Sequence, residues 1–227
     1  MKICGNRDCE DGGSFSKNVI TRLWGHWCLK AVGTMTFMAI FFSFYLYILK
    51  NPYFLITQMP FTVVDNSIGF QPYFLYFYLS LWVYVSLVPA LMKTKKELLY
   101  YGAYIGIVCA VGVGFYILFP TSIPQSSINW SHYPEFSMLK TIDTAGNAFP
   151  SLHVATAFFS FFWFHRELKQ MHAHSPLLWL NGIWCFGIIY STMAIKQHVF
   201  LDVLGGLILG GVFALLTLRY HRIKVLN

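Results

Sequence analysis

Six long apolar runs constrain this 227-residue chain more than any other feature: Ala31–Leu49, Tyr73–Met92, Leu98–Phe119, Phe149–Phe164, Leu177–Ile195 and Val199–Leu218. A helix needs about 20 residues to cross the hydrocarbon of a bilayer. Four of the runs meet that length closely. The fourth run is short and is expected to continue towards Leu168, and the hairpin between the fifth and sixth, around Lys196–His198, is very tight. Only 11% of the residues are charged, against about 25% in a soluble domain. The expected architecture is all-α: a polytopic membrane protein with six transmembrane helices in one bundle over residues 31–219. Residues 1–30 form an N-terminal cytoplasmic segment, too long and too polar for a signal peptide, and residues 220–227 form a short cytoplasmic tail.

Orientation follows from the basic residues. Thirteen of the sixteen lysines and arginines fall on one side of such a bundle: Lys2, Arg7, Lys17, Arg22 and Lys30; Lys93, Lys95 and Lys96; Arg166 and Lys169; Arg219, Arg222 and Lys224. Lys50, Lys140 and Lys196 fall on the other. Basic loops stay cytoplasmic, so both termini are expected there. The net charge of +7 then reads as an orientation signal, with no nucleic acid as partner. Cys28, Cys109 and Cys185 lie in or beside apolar runs, where buried thiols are common. Cys4 and Cys9 can pair or bind a metal, but without histidine partners the signal is weak, and no metal is expected. The Gly102/Gly106 and Gly206/Gly210 spacings suit close helix packing or are chance spacings in glycine-rich spans.

Parity then groups three polar segments. FPTSIPQ (Phe119–Gln125) leaves the third run, FPSLH (Phe149–His153) enters the fourth, and KQHVFLD (Lys196–Asp202) enters the sixth, all on the non-cytoplasmic side. His198 and Asp202 are four residues apart and share a helix face, so the carboxylate can fix one tautomer of the ring and stabilise its cation. Ionisable groups at such a depth usually face the bundle interior. Pro150 suits the first turn of a helix, and backbone N–H groups at a helix start attract anions. A structural His–Asp contact, a lysine snorkelling to the headgroups at Lys196 and a buried hydrogen-bonding His153 are the plainer readings. A pair of axial haem ligands, His153 and His198, is another. Asp65, before the second run, reads as an N-cap or an acceptor-binding group. Residues 120–148, rich in Pro, Ser, Asn and Trp, can cap a site.

FPSLHVA and YSTMAIKQHVFLDVLGG (Tyr190–Gly206) resemble the second and third motifs of the phosphatidic acid phosphatase type 2 superfamily of membrane enzymes. With FPT-x-x-P at Phe119–Pro124 and PFTVVD at Pro60–Asp65, the resemblance is strongest to the branch containing inositol phosphorylceramide synthase and its bacterial relatives. It covers roughly residues 60–210. The resemblance implies a membrane-embedded phosphatase or phosphotransferase acting on a lipid phosphate or diphosphate, with no cofactor. It implies His198 as nucleophile, Asp202 as its orienting carboxylate, His153 as acid and then base, and Ser151 with nearby backbone N–H groups as phosphate ligands. Two departures stand out. The first motif, with its Arg-Pro, is absent, and the arginine positions after FPT-x-x-P and in the third motif hold Gln125 and Thr192. Lys196 and, second, Lys140 are the replacement charges, with Gln125 beside the phosphate. A catalytically weakened lipid-binding relative is the alternative within this resemblance. The implied location is the bacterial inner membrane with the site facing the periplasm or outside, or the endoplasmic reticulum or Golgi with a luminal site.

Overall fold

A computed structural model of the chain describes residues 7–125, 128–137, 139 and 146–226, with side chains from 15 to 219 of these. Helix α1 (Arg7–Trp24) precedes α2 (Trp27–Lys50), which starts four residues ahead of the first predicted run. The short α3 (Val63–Ser67) and α4 (Leu75–Leu79) lead to α5 (Leu81–Leu91), α6 (Lys95–Leu118), α7 (Leu152–Gln170), α8 (Ser175–Ala194) and α9 (Phe200–Leu226). Two two-residue strands, β1 (Thr57–Gln58) and β2 (Thr121–Ser122), pair in parallel. The fold is all-α and polytopic as expected, with this sheet a minor fitting.

Among the described residues, five stretches are long and apolar enough to cross a membrane: Trp27–Lys50, Pro72–Leu91, Lys95–Leu118, Ser175–Ala194 and Phe200–Arg219. They match five of the six predicted runs. The fourth run forms α7, which continues to Gln170. Its Thr156, Ser160, His165, Arg166 and Glu167 make it the most polar of the long bundle helices. Packing explains why it tolerates them. Helix α7 is the centre of the bundle, with α9, α8, α5 and α6 around it. Val154, Ala155, Ala157, Phe159, Ser160 and Trp163 are fully buried. A helix walled by protein can hold polar groups that its neighbours satisfy. Tyr101 Oη and Ser160 Oγ are 2.9 Å apart, and Trp163 Nε1 donates to Thr217 Oγ1 at 3.3 Å.

The tightest packing is between α7 and α9. An added Cβ on Gly206 would stand 2.5 Å from the Ser151 carbonyl oxygen and 2.8 Å from Val154 Cβ, and Gly210 lies against the Ala155 backbone. This glycine pair does serve close helix packing. The other pair does not: a Cβ on Gly102 meets nothing within 4 Å, and one on Gly106 meets only Phe37 at 3.5 Å.

The charges divide between the two ends of the bundle. At one end Arg22 pairs with Glu167 (2.5 Å), Glu167 with Arg166 (2.8 Å) and Arg166 with Glu97 (3.1 Å). Glu167 is fully buried there. At the other end the three polar segments meet through backbone bonds. The Thr121 hydroxyl accepts from Phe149 N–H at 2.8 Å, and Ser151 N–H donates to the Asp202 carbonyl at 3.0 Å. The expected convergence of FPTSIPQ, FPSLH and KQHVFLD is thus a set of direct contacts at one bundle end.

Candidate active site

The turn between α8 and α9 is built by its backbone. Lys196 adopts a left-handed conformation (φ 58°), and the Thr192 carbonyl accepts both Gln197 N–H (2.9 Å) and His198 N–H (3.0 Å). Helix α9 then starts at Phe200. Asp202 reaches back, and its Oδ2 accepts Val199 N–H at 3.0 Å. The same Oδ2 lies 3.5 Å from His198 Nδ1. That spacing exceeds a formed N–H···O bond, and His198 Nδ1 and Asp202 Oδ1 are both buried without a hydrogen-bond partner. A fully buried carboxylate with one oxygen unserved is costly on its own. It is offset when a cation forms beside it, and the ring of His198 is the group in place to become one.

His153 sits in the first turn of α7, which starts differently from expectation. Ser151 is the N-cap and accepts from Val154 N–H at 3.3 Å, so Pro150 lies ahead of the cap and not in the first turn. The Phe149–Pro150 bond is cis. Ser151 is fully buried. Leu152 N–H donates to Tyr116 Oη (3.3 Å), whose hydroxyl donates to the Pro150 carbonyl (2.7 Å). The N–H groups of Ser151, Leu152 and Val154 therefore have protein partners.

A break in the second span orients His153. Ser80 Oγ donates back to the Phe77 carbonyl at 2.7 Å and accepts from Trp184 Nε1 at 2.8 Å. Such back-bonding by serine bends helices, and α4 ends there. Just before the break, the Tyr78 carbonyl lies 3.2 Å from His153 Nε2. The Tyr78 ring stacks on the imidazole, with centroids 3.9 Å apart and planes within 8°, and Trp82 stands edge-on at 5.8 Å. With Nε2–H donating to Tyr78, Nδ1 is the nitrogen that can exchange a proton.

His153, His198 and Gln197 line one cavity, with Tyr116 and Asn147 beside them. Of the other expected residues, Lys196 Nζ donates to the Ile68 and Asp65 carbonyls (2.5 and 3.3 Å), at the end of α3 and outside the cavity wall. Gln125 is exposed on the loop after β2. Lys140 lies outside the described residues, as do Cys4 and the side chain of Cys9. Asp65 is the N3 acid of a capping box with Thr62, not the N-cap, and its Oδ1 also accepts Phe200 N–H at 2.7 Å. It therefore fastens α3 to the start of α9. Among the described residues no group of three or more His, Cys, Asp or Glu stands together as a metal site.

Gln197 escapes a reading that follows charge. It is 6% exposed, forms part of the cavity wall, and its Nε2 has no hydrogen-bond partner. A buried amide without a partner is uncommon and calls for a reason. Its place next to the motif histidine was the available signal. Tyr78 and Trp82 carried no signal, since aromatic residues are ordinary in an apolar run.

Residues 114–225 match the family model described as the PAP2 superfamily. No curated protein and no solved structure matches the chain.

Proposed function

From a chain that belongs to the PAP2 superfamily, we propose a membrane-embedded phosphatase or phosphotransferase that passes the phosphoryl group of a lipid phosphate or diphosphate through His198. The observation that carries the reading is the His198–Asp202 pair at 3.5 Å, in a cavity wall shared with His153 and Gln197. Asp202 faces Nδ1 of His198, which leaves Nε2 as the nucleophile. Nε2 attacks phosphorus and the bond from phosphorus to the lipid oxygen breaks. His153 enters the step as the imidazolium, with Nε2–H on the Tyr78 carbonyl, gives its Nδ1 proton to that oxygen and is left neutral. The His198 ring carries positive charge in the intermediate, 3.5 Å from Asp202 Oδ2, so the buried carboxylate then faces a cation. That interaction is stronger along the reaction than in the resting protein, which is the condition for catalysis. In the second half His153 takes a proton from water or an acceptor alcohol, and that oxygen displaces the imidazole.

Phosphoryl transfer depends on positioning and on donors at the equatorial oxygens. The Gln197 amide is such a donor. Lys196 would join only by releasing the α3 carbonyls, and Ser151 only by giving up its cap, while Gln125 and Lys140 remain candidates on the outer loops. The site is proposed to face the non-cytoplasmic side. The collection of Arg22, Lys30 and Arg166 at the opposite end supports that orientation.

Phosphate release from lipid phosphates by the purified protein, without added metal, tests the reading. His198→Ala and His153→Ala are expected to abolish turnover, and labelled phosphate is expected to be trapped on His198. Full activity in either variant would overturn the mechanism.

A further inference from the structure

A cavity of about 730 Å³ extends from the histidines along the bundle between α2, α5, α6 and α7. His153, His198 and Gln197 bound one end, and Lys30 and Leu98 bound the other. On α6 its wall runs from Leu98 to Tyr116, about 27 Å at 1.5 Å per residue. That nearly equals the ~30 Å of hydrocarbon in a bilayer, of which a lipid anchored at one surface fills about half.

The shape has a cause in how α2 is held. Only Lys30, Ile48 and Leu49 of α2 are buried. Lys30 Nζ donates to the Arg22 and Ala90 carbonyls at 2.5 and 2.8 Å, and Tyr45 Oη takes the Asn147 amide near the other end. Between these two fastenings α2 stands over the cavity with Phe37, Phe41 and Phe42 facing in. The wall is apolar over most of its length. Its far end stops at the Lys30 stem, beside the Arg22–Glu167 ion pair, where hydrocarbon gains nothing. Two glycines widen that far end: Gly33 on α2 and Gly102 on α6 line it, and a Cβ on either would meet nothing within 4 Å.

We propose that this cavity holds a hydrocarbon tail of the substrate longer than one leaflet is deep, and that Gly33 and Gly102 make the room for its far end. The inference rests on the reading of His198 and His153 as the phosphoryl-transfer pair, because the tail enters from their end. It names the substrate class as a phosphate on a long single-ended hydrocarbon, with the glycines as specificity-determining positions remote from the chemistry.

The experiment compares wild-type protein and Gly102→Phe in nanodiscs, on alkyl phosphates whose tails range from about half to all of the ~30 Å depth. In the wild type, kcat/KM is expected to keep rising to the longest tails. In Gly102→Phe the longest tails are expected to lose about tenfold, the equivalent of roughly two methylenes left unburied, while the shortest keep their rate. An equal loss at every length, or an unchanged profile, overturns the proposal. A second measurement needs no turnover. A phosphate with a photoreactive group at the tail end is crosslinked to His198→Ala protein. Labelling of Leu98–Gly102 or Lys30–Thr34 supports the tail site, and labelling confined to bilayer lipid overturns it. Far-end labelling without phosphate release from any wild-type reaction would leave the tail site standing and fail the catalytic reading instead.

Discussion

Replacing Gln197 with leucine separates stability from activity in a way that few substitutions do. The side chain is 6% exposed and its amide nitrogen has no partner in the protein. Leucine is close in volume and has no donor to leave unserved. An unsatisfied buried donor costs about 1–3 kcal/mol, so Gln197→Leu is expected to unfold at higher temperature than the wild type. The same nitrogen is the donor assigned to a phosphoryl oxygen. Removing one such donor from a preorganised site lowers kcat by about 10²–10³, or roughly 2.7–4 kcal/mol of transition-state stabilisation. The assay is initial-rate phosphate release with kcat and KM resolved, beside a thermal unfolding scan of the same preparation. The expected result is a loss confined mainly to kcat, with raised thermal stability. Gln197→Glu adds a charge that repels phosphate and is expected to fall further. If Gln197→Leu turns over at the wild-type rate, the amide does not touch the reacting oxygens. If it is instead destabilised, the nitrogen has a protein partner and the argument from the unserved donor fails.

Asp202→Asn retains an oxygen for Val199 N–H but removes the charge beside His198. It is expected to lower kcat by about 10²–10⁴, with little trapped phosphohistidine in a quench experiment. At the α7–α9 contact, Gly206→Leu forces a side chain towards the Ser151 carbonyl, 2.5 Å from the first added carbon. Overpacking of this kind costs about 1–3 kcal/mol, visible as a lower unfolding temperature. Because Ser151 N–H is bonded to the Asp202 carbonyl, activity is expected to fall with it. Arg22→Ala leaves buried Glu167 with Arg166 alone. Breaking a buried pair from one side costs about 3 kcal/mol or more, so thermal unfolding should show a marked loss. Activity per folded molecule should hold, since the pair is at the end of the bundle away from the histidines.

Element by element, what could be read in advance was whatever leaves a periodic or charged trace. Apolar runs mark five of the long helices, and parity alone puts Thr121, Ser151 and Asp202 at one end, where Thr121 is bonded to Phe149 and Ser151 to Asp202. The His198–Asp202 spacing of four residues is the same kind of trace. Helix α7 shows the limit of hydropathy: a central helix is shielded by its neighbours and need not be oily, so Ser160 and Glu167 weaken its signal because it is the most enclosed.

The site residues that were not legible share a different property. Each acts through a group that composition does not register. Ser80 is one small hydroxyl in a long apolar run, yet its bond to the Phe77 carbonyl coincides with the break in the second span, and the Tyr78 carbonyl beside that break lies 3.2 Å from His153 Nε2. Gln197 carries no charge, and its neighbour Lys196 draws the attention that a missing arginine creates. The ammonium of Lys196 instead binds the carbonyls of Asp65 and Ile68, while Asp65 caps Phe200 N–H. Lysine and aspartate together hold the turn that presents Gln197 and His198. A cation two residues from a nucleophile can thus serve the phosphate site by fixing the backbone that carries it. Lys196→Ala would then show its effect in thermal stability and in the ordering of this turn as much as in phosphate affinity. Lys196→Met, which keeps the stem but not the charge, should behave like alanine in both.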